Sequence, residues 1–354
     1  MVTIGVDSHK ESHTLVAVDA LGRKVAQRTV SNRVESYAEV WTWAQGLEAP
    51  RVWGVENSGS YGRGLAQYLV GQSEEVYEVP PHLTGRTRRR SLDREKSDAA
   101  DALSIARVVL QEGAKLPRVQ AEDVSSVLSV VIEHRGNLVA ERTRLVNQLH
   151  SQLSQVEPGY KDRLGDLTQR PALEACQTYP LPSGDPVAHM RVTVIRQMAT
   201  LLMSLTDMIQ QLETQEIGPR VEKTQTPLLS IQGIGILTAA ELMARVGPIS
   251  AMKSAASLAR YSGIAPMERS SGASQRYRVN GQGDRQLQAV FYRMALVQKR
   301  CNPLAAAYVA KKRHEGKTAK EAHRCLMRRL VDIVYSVWKH NVPYRPPAAE
   351  CMAV

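Results

Sequence analysis

The sequence predicts an α/β domain followed by an all-α remainder, and three observations carry that division. Short β-rich runs alternate with helical stretches through the first third of the 354 residues. Beyond about residue 120 the apolar residues recur at heptad spacing instead. Four carboxylates of the first third sit where the chain changes character, at two strand ends and at one helix start.

Val2-Thr3-Ile4-Gly5-Val6-Asp7 is the first β-rich run, and it ends on a carboxylate. The runs 14–18 and 24–30 flank the turn Asp19-Ala20-Leu21-Gly22 and read as a hairpin. A helix is expected over 37–47, then the strand Arg51-Val52-Trp53-Gly54-Val55-Glu56, again closed by an acid. A helix over 61–70, a short strand over 75–79 stopped by Pro80-Pro81, and a helix from Ser97 to about Leu110 complete the region. Three strands, a helix, a strand, a helix, a strand and a helix is the order of an RNase H-like domain, here about residues 1–115. That fold places its acids at the centre of the sheet.

Asp98 and Asp101 lie three apart at the helix opening and project from one face. Strand-end acids facing a helix-borne Asp pair are how a protein holds Mg²⁺ over a phosphodiester. In such sites two hard cations roughly 3.5–4 Å apart clamp the attacking and leaving oxygens. Each placement also has a plain structural reason, since turns favour strand-end acids and the helix dipole favours Asp at a helix start. The combination, in this order inside one α/β pattern, favours the metal site formed by Asp7, Glu56, Asp98 and Asp101.

A net charge of +11 and a pI near 9.6 point to a polyanionic partner. The charge is clustered. Arg86, Arg88, Arg89, Arg90, Arg94 and Lys96 lead into the Asp pair, and Lys311, Lys312, Arg313, Lys317, Lys320, Arg324, Arg328 and Arg329 form a second group. A single Phe and 5% aromatic residues argue against a base-stacking platform and for contact with backbone phosphates. Cys176, Cys301, Cys325 and Cys351 are far apart, which indicates neither a zinc module nor a disulfide frame. No run of 18 apolar residues and no signal-peptide pattern is present, so a cytoplasmic protein with no membrane partner is expected.

Residues 116–222 read as a coiled-coil or helical linker. Val124, Val131, Leu138 and Leu145 recur every seven positions and continue through Leu149 and Leu153. Ile195, Met198, Leu202, Leu205, Ile209 and Leu212 alternate three and four. Such narrow seams fit a coiled coil between protomers or a helical hairpin within one chain, and the sequence leaves both open. Between the seams, 158–186 reads as a long loop.

Residues 223–354 are expected to be helical and basic. The stretch 228–235 resembles a helix-hairpin-helix, in which Gly233 and Gly235 permit a turn whose amides accept a phosphate; a plain turn between core helices accounts for it equally. A polar, Gly-rich segment over 266–285 carries Ser270 and Ser271 beside Arg269, Arg276, Arg278 and Arg285. It is either simply a loop or a turn that presents a hydroxyl to a phosphate held by the arginines. No His or acid stands at triad spacing to activate the serine, so the N-terminal metal site is the candidate activator.

Taken together these residues resemble the insertion-sequence-110 family of DEDD transposases, the bridge-RNA-guided serine recombinases. The N-terminal likeness lies in I-G-V-D-x-H-K ending at Lys10, V-E-N-S-G ending at Gly59, and K-S-D-A-A-D ending at Asp101. The C-terminal likeness runs through L-L-S-I-Q-G-I-G, G-I-A-P, S-S-G and G-x-G-D-R-x-L, about residues 228–287. Gly281-Gln282 stands where the family usually has a basic pair, and Gln288 where Arg is common.

The resemblance implies a RuvC-like N-terminal domain and a recombinase that excises and inserts its own element in a bacterial cytoplasm, associated with the nucleoid when acting. It implies Mg²⁺, two ions per site, on Asp7, Glu56, Asp98 and Asp101, and a covalent phosphoserine link to DNA through Ser271, with Ser270 as the alternative. It further implies donor and target DNA, a structured non-coding guide RNA, and a homo-oligomer arranged as a dimer of dimers. Two other readings fit parts of the pattern. A RuvC-like hydrolytic nuclease needs the acids but not Ser271, and a helix-hairpin-helix architectural protein leaves four acids unexplained in a basic chain.

Overall fold

The computed structural model describes residues 1–84, 97–271, 274–279, 281 and 283–346, with the backbone alone at 114, 267–271 and 274–279. The arginines expected at 86, 88, 89, 90 and 94 and Lys96 lie outside the described residues, as do Gly272, Gln282 and Cys351. The chain divides into two compact units, Met1–Glu122 and Asp123–Val354.

The N-terminal unit holds a five-stranded sheet of order β3-β2-β1-β4-β5, with β1 Val2–Ser8, β2 Ser12–Val18, β3 Lys24–Ser31, β4 Arg51–Val55 and β5 Glu75–Glu78. The first three strands are antiparallel neighbours, whereas β4 runs parallel to both β1 and β5. This topology is RNase H-like, with β1 in the centre. Ile4 and Val6 on one face of β1 join Leu15, Val40, Trp53, Val55, Leu65 and Leu69 in a core that includes residues of helices α1 (Val34–Gln45) and α2 (Arg63–Gly71). Helix α3 (Asp98–Glu112) covers the other face, burying Ala102, Ile105, Ala106, Val108 and Val109.

Two glycines set how closely α3 approaches. Gly5 and Gly54 are register partners across the β1–β4 pair. A Cβ on Gly5 would stand 2.1 Å from the Ala102 carbonyl oxygen and 2.4 Å from the Ala106 nitrogen, and one on Gly54 would stand 2.3 Å from Val109 Cγ2. Only glycine lets the helix backbone lie against the sheet there.

Among its described residues the second unit is helical apart from one hairpin and the connecting turns. Helix α4 (Val124–Val156), capped by Asp123, packs along α7 (Pro186–Gln211), capped by Asp185. The second half of the first seam closes on the second seam within one chain, with Leu145, Leu149, Leu153, Ile195 and Leu202 buried in a single cluster, while Val124 and Val131 pack against the cluster of the later helices. The segment 158–186 is not the long loop expected from its Pro and Gly content. It contains α5 (Tyr160–Leu164) and α6 (Arg170–Gln177), and Tyr160, Leu164, Leu167, Leu173, Cys176 and Tyr179 complete that same core. The burial of these side chains overrides the local turn signals.

After a π-helical turn at Leu212–Ile217 come α8 (Gly218–Lys223), α9 (Ile236–Val246), α10 (Ala255–Tyr261), α11 (Arg285–Cys301), α12 (Pro303–His314) and α13 (Ala319–His340). Their cluster includes Phe291, Leu330 and Val331, and takes Leu128 and Ile132 from the first half of α4. Pro186–Lys223 is long and apolar enough to cross a membrane by length and composition, yet Val192, Ile195, Ala199 and Leu202 along it are core residues.

Candidate active site

Asp7 is the penultimate residue of β1, two positions beyond Gly5 and on the same face of the sheet, which α3 covers. The helix meets β1 at Ala102 and Ala106, so its first turn, with Asp98 and Asp101, falls at the carboxyl end of the strand. Ser97 fixes that start, since its hydroxyl accepts from the Ala100 amide at 3.2 Å. The glycine contact and the serine cap together set where the Asp pair begins.

Asp7 is only 6% exposed. Burial pushes its carboxyl above the usual aspartate range; His9 pulls the other way, and the charges of Asp101 and Asp98 raise it further. His9 Nε2 lies 3.1 Å from Asp7 Oδ2 and 3.6 Å from Asp98 Oδ1. Ligating atoms of Asp7, His9 and Asp98 all fall within 4.8 Å of one another. A buried carboxylate flanked by two more is costly unless a cation joins it, and carboxylate oxygens with one imidazole form a donor set that suits a divalent cation.

Glu56 follows β4, and its amide donates to the Val6 carbonyl at 3.2 Å, so its α-carbon comes next to that of Asp7 across the parallel pair. It is half-buried, as is Asp101, whereas Asp98 is exposed. Of the four acids, Asp7 and Asp98 belong to the tight donor group; Asp101 acts on Asp7 through its charge. His9 was missed as a candidate, although two positions past a strand-end Asp is the spacing that returns a side chain to the same face.

The serine segment is a β-hairpin, not a loop. Strands β6 (Pro266–Ser271) and β7 (Ser274–Val279) pair in register from Pro266↔Val279 to Ser271↔Ser274, so Ser271 ends the first strand. The side chains of Arg269, Ser270, Ser271, Arg276 and Arg278 lie outside the described residues. The base of the hairpin is pinned: Asp284 donates its amide to the Tyr261 carbonyl, and Gln288 Nε2 donates to the Gly263 carbonyl at 3.2 Å. A Cβ on Gly283 would stand 2.2 Å from the Gly263 nitrogen, so the G-I-A-P and G-x-G-D segments touch backbone to backbone. Gln288 thus has a packing partner at a position where Arg is common. Arg285 is exposed at the first position of α11, directly after its cap Asp284.

Gly233 adopts φ +86°, and Gly235 is the N-cap of α9. A 3₁₀ turn, Pro227–Ser230, precedes them, and Gln232 donates to the Cys301 carbonyl at 2.9 Å, which ties the turn to α11. Of the second basic group, Lys311, Arg313, Lys317, Lys320, Arg324 and Arg329 are exposed along α12, α13 and the turn between them, while Lys312 pairs with Glu315 and Arg328 with Asp332.

Residues 4–158 match a DEDD transposase family model described as a transposase, and residues 225–310 match one described as the transposase of the IS116/IS110/IS902 family. The chain is 26% identical to an uncharacterized 44.8 kDa protein of insertion element IS116 from Streptomyces clavuligerus, over 98% of this chain and 96% of that one. It is 25% identical to an uncharacterized 42 kDa protein of insertion element IS900 from Mycobacterium paratuberculosis, over 99% of each. It is 24% identical to a pilin gene-inverting protein of Moraxella bovis, over 89% of each. Among solved structures it is similar to Thermus thermophilus RuvC, with 17% identity over 34% of this chain and all of that one, at a TM-score of 0.28.

An acid-bearing RNase H-like domain joined to a matching helical domain defines a transposase, an enzyme that acts on DNA. The chain belongs to the IS110 family of DEDD transposases of insertion sequences.

Proposed function

We propose that this transposase cuts and exchanges DNA strands through a covalent phosphoserine intermediate, with Mg²⁺ at the acid cluster and a structured non-coding RNA selecting donor and target. The observation that carries the reading is the meeting of Asp7 with Asp98 at the carboxyl end of β1, where buried and exposed carboxylates converge. A relative named for inverting a pilin gene supports recombination.

Asp7, Glu56, Asp98 and Asp101 hold the cations, two per site. When bound, these supply Lewis-acid charge at the phosphate and favour the ionised serine. Ser271, with Ser270 as the alternative, attacks phosphorus through its Oγ. The P–OSer bond forms as the bond from phosphorus to one deoxyribose oxygen breaks, and the proton lost from the serine hydroxyl ends on that leaving oxygen as the free strand hydroxyl. The phosphate diester is conserved, so a new strand's hydroxyl reverses the step and frees the serine. Arg269, Arg276, Arg278 and Arg285 orient the phosphate. Arg86, Arg88, Arg89, Arg90 and the turn at Gly233 and Gly235 contact nucleic-acid backbone.

Assembly into a dimer of dimers lets one protomer's acids complete a site with another's serine. Support comes from a second apolar face on α7, where Val187, Met190, Leu201 and Met208 are 63%, 60%, 54% and 44% exposed. The deciding experiment incubates the protein with Mg²⁺, element-end DNA and RNA from the element's flanking region, followed by a denaturing gel. A protein–DNA adduct lost in both Ser271→Ala and Asp7→Asn is expected. Cut ends with no adduct, unaffected by Ser271→Ala, would establish a hydrolytic nuclease instead.

A further inference from the structure

We infer that His9 is a ligand of the divalent cation at Asp7 and Asp98, and that its nitrogen gives this site a preference for Mn²⁺ over Mg²⁺. The inference rests on the reading of those two acids as cation ligands.

The spacing of the donors is the first argument. A cation about 2.1 Å from each ligand sets neighbouring donor atoms about 3 Å apart in an octahedral shell and somewhat further in a tetrahedral one. His9 Nε2 stands 3.1 Å from Asp7 Oδ2 and 3.6 Å from Asp98 Oδ1. The nitrogen therefore already stands at near-neighbour ligand spacing from an oxygen of each acid, and all three donors fall within 4.8 Å of one another. The imidazole is 53% exposed and Asp98 59%, while Asp7 forms the floor, so the group opens outward to solvent.

The second argument is that the backbone of His9 is held in place. Its amide donates to the Ser12 carbonyl at 2.9 Å, across the turn between β1 and β2. Its carbonyl accepts from Asn32 Nδ2 at 3.2 Å, and the same amide group also reaches the Tyr61 carbonyl at 3.2 Å. Asn32 is fixed in turn by the Tyr37 hydroxyl, which donates to Asn32 Oδ1 at 3.0 Å. Four chain segments thus meet to anchor one exposed residue beside the acids. The point from which the ring extends is therefore fixed beside the acids, as a ligand's must be.

The third argument is chemical. Carboxylate and water donors suit Mg²⁺, while imidazole shifts selectivity toward Mn²⁺ and later divalent metals. A rival reading makes His9 a counter-cation that occupies the space between two carboxylates until a metal displaces it. The two readings predict opposite effects of removing the ring: the ligand loses affinity for metal, the competitor releases it.

The test titrates Mn²⁺ into the full-length protein at one fixed pH, follows free Mn²⁺ by electron paramagnetic resonance, and examines the bound ion for ¹⁴N coupling by pulsed methods. Mg²⁺ affinity follows from competition. Expected are imidazole coupling in the wild type, and its loss in both His9→Ala and His9→Gln, with Mn²⁺ bound about tenfold or more weakly and Mg²⁺ changed far less. Wild-type-like or tighter Mn²⁺ binding in the His9 variants, or a bound ion without nitrogen coupling, would overturn the inference. Asp7→Asn separates the two levels. If it abolishes Mn²⁺ binding while the His9 variants retain it fully, the acid site stands and only the role of His9 falls. If the wild type binds no Mn²⁺, both fall.

Discussion

Asp7 in the N-terminal unit and Glu157 in the helical unit each have a basic neighbour, yet their carboxyls are displaced in opposite directions. Burial raises Asp7, and His9 offsets it only in part. Glu157 is pulled down to about 2, first by Arg163 and then by the Tyr179 hydroxyl. Arg163 grips both oxygens, Nε to Oε1 at 3.1 Å and Nη2 to Oε2 at 2.6 Å, and Tyr179 donates to the second. Glu157 has its hydrogen-bonding capacity met by the fold, so it serves α4 and the segment after it. Asp7 lacks full compensation. Its unmet requirement for positive charge is what a cation can use, and under-compensated ionisable groups concentrate where chemistry is done.

The largest effect that sharpens this contrast is Asp7→Asn. It should reduce DNA cleavage to background and remove divalent-cation binding, while the metal-free protein melts at the same temperature or higher. An Asn has similar volume and carries no charge to desolvate. Cleavage assays beside melting curves in chelator check both halves. A metal-free Asp7→Asn protein that melts clearly lower would mean that the carboxylate is structurally satisfied after all, and the contrast would collapse.

Next in size is Gly5→Ala. Its Cβ meets helix backbone at 2.1 Å and 2.4 Å, so either strand or helix must move. A loss of about 1–3 kcal/mol is expected in denaturant unfolding. Cleavage should fall about 10²-fold in the protein that remains folded, because an ångström of misplacement carries that cost. Gly59→Ala is the internal control, since nothing lies within 4 Å of its Cβ position. Equal loss at both positions would show that the two acid-bearing elements do not depend on the close approach at Gly5.

Much of this arrangement was legible in the residues themselves. The acids stood out because each closed a β-rich run or opened a helix, and the element order around them matches the sheet observed. Other features were illegible for identifiable reasons. The meaning of Gly5 and Gly54 depends on their pairing across β1 and β4, which only the register reveals. The contact between His9 and Asp98 joins distant parts of the chain, and no local pattern announces it. The segment 158–186 misled because Pro, Gly and polar residues recur through it and resemble loop composition. Only the spacing of Leu173 with Cys176, both inside α6, is a helical-face signal within that background; Leu167 and Tyr179 join the core from outside the helices. The apolar stripes of α4 and α7 are visible in the sequence, but periodicity alone carries no information about which helix meets them.

The smallest effect, at Glu157, tests the other half of the comparison through pH. A depressed carboxyl contributes stability that is present above its unfolded value of 4.5 and is lost as pH falls toward about 2. A raised carboxyl behaves in the opposite way: its contribution is present while it is protonated and is lost as pH rises through the raised value. In metal-free protein, Glu157→Gln should therefore destabilise at neutral pH and converge on the wild type in acid, while Asp7→Asn should gain on the wild type as pH rises. The Glu157 effect is modest, since Arg163 and Glu157 side chains are 48% and 34% exposed and solvent screens the pair; about 1 kcal/mol or less is expected. Melting temperatures of wild type and both variants across about pH 3 to 7 measure the two slopes. Slopes of the same sign would show that one rule governs both acids, and the distinction between an acid kept for folding and one kept for a cation would have to be drawn elsewhere than at Asp7.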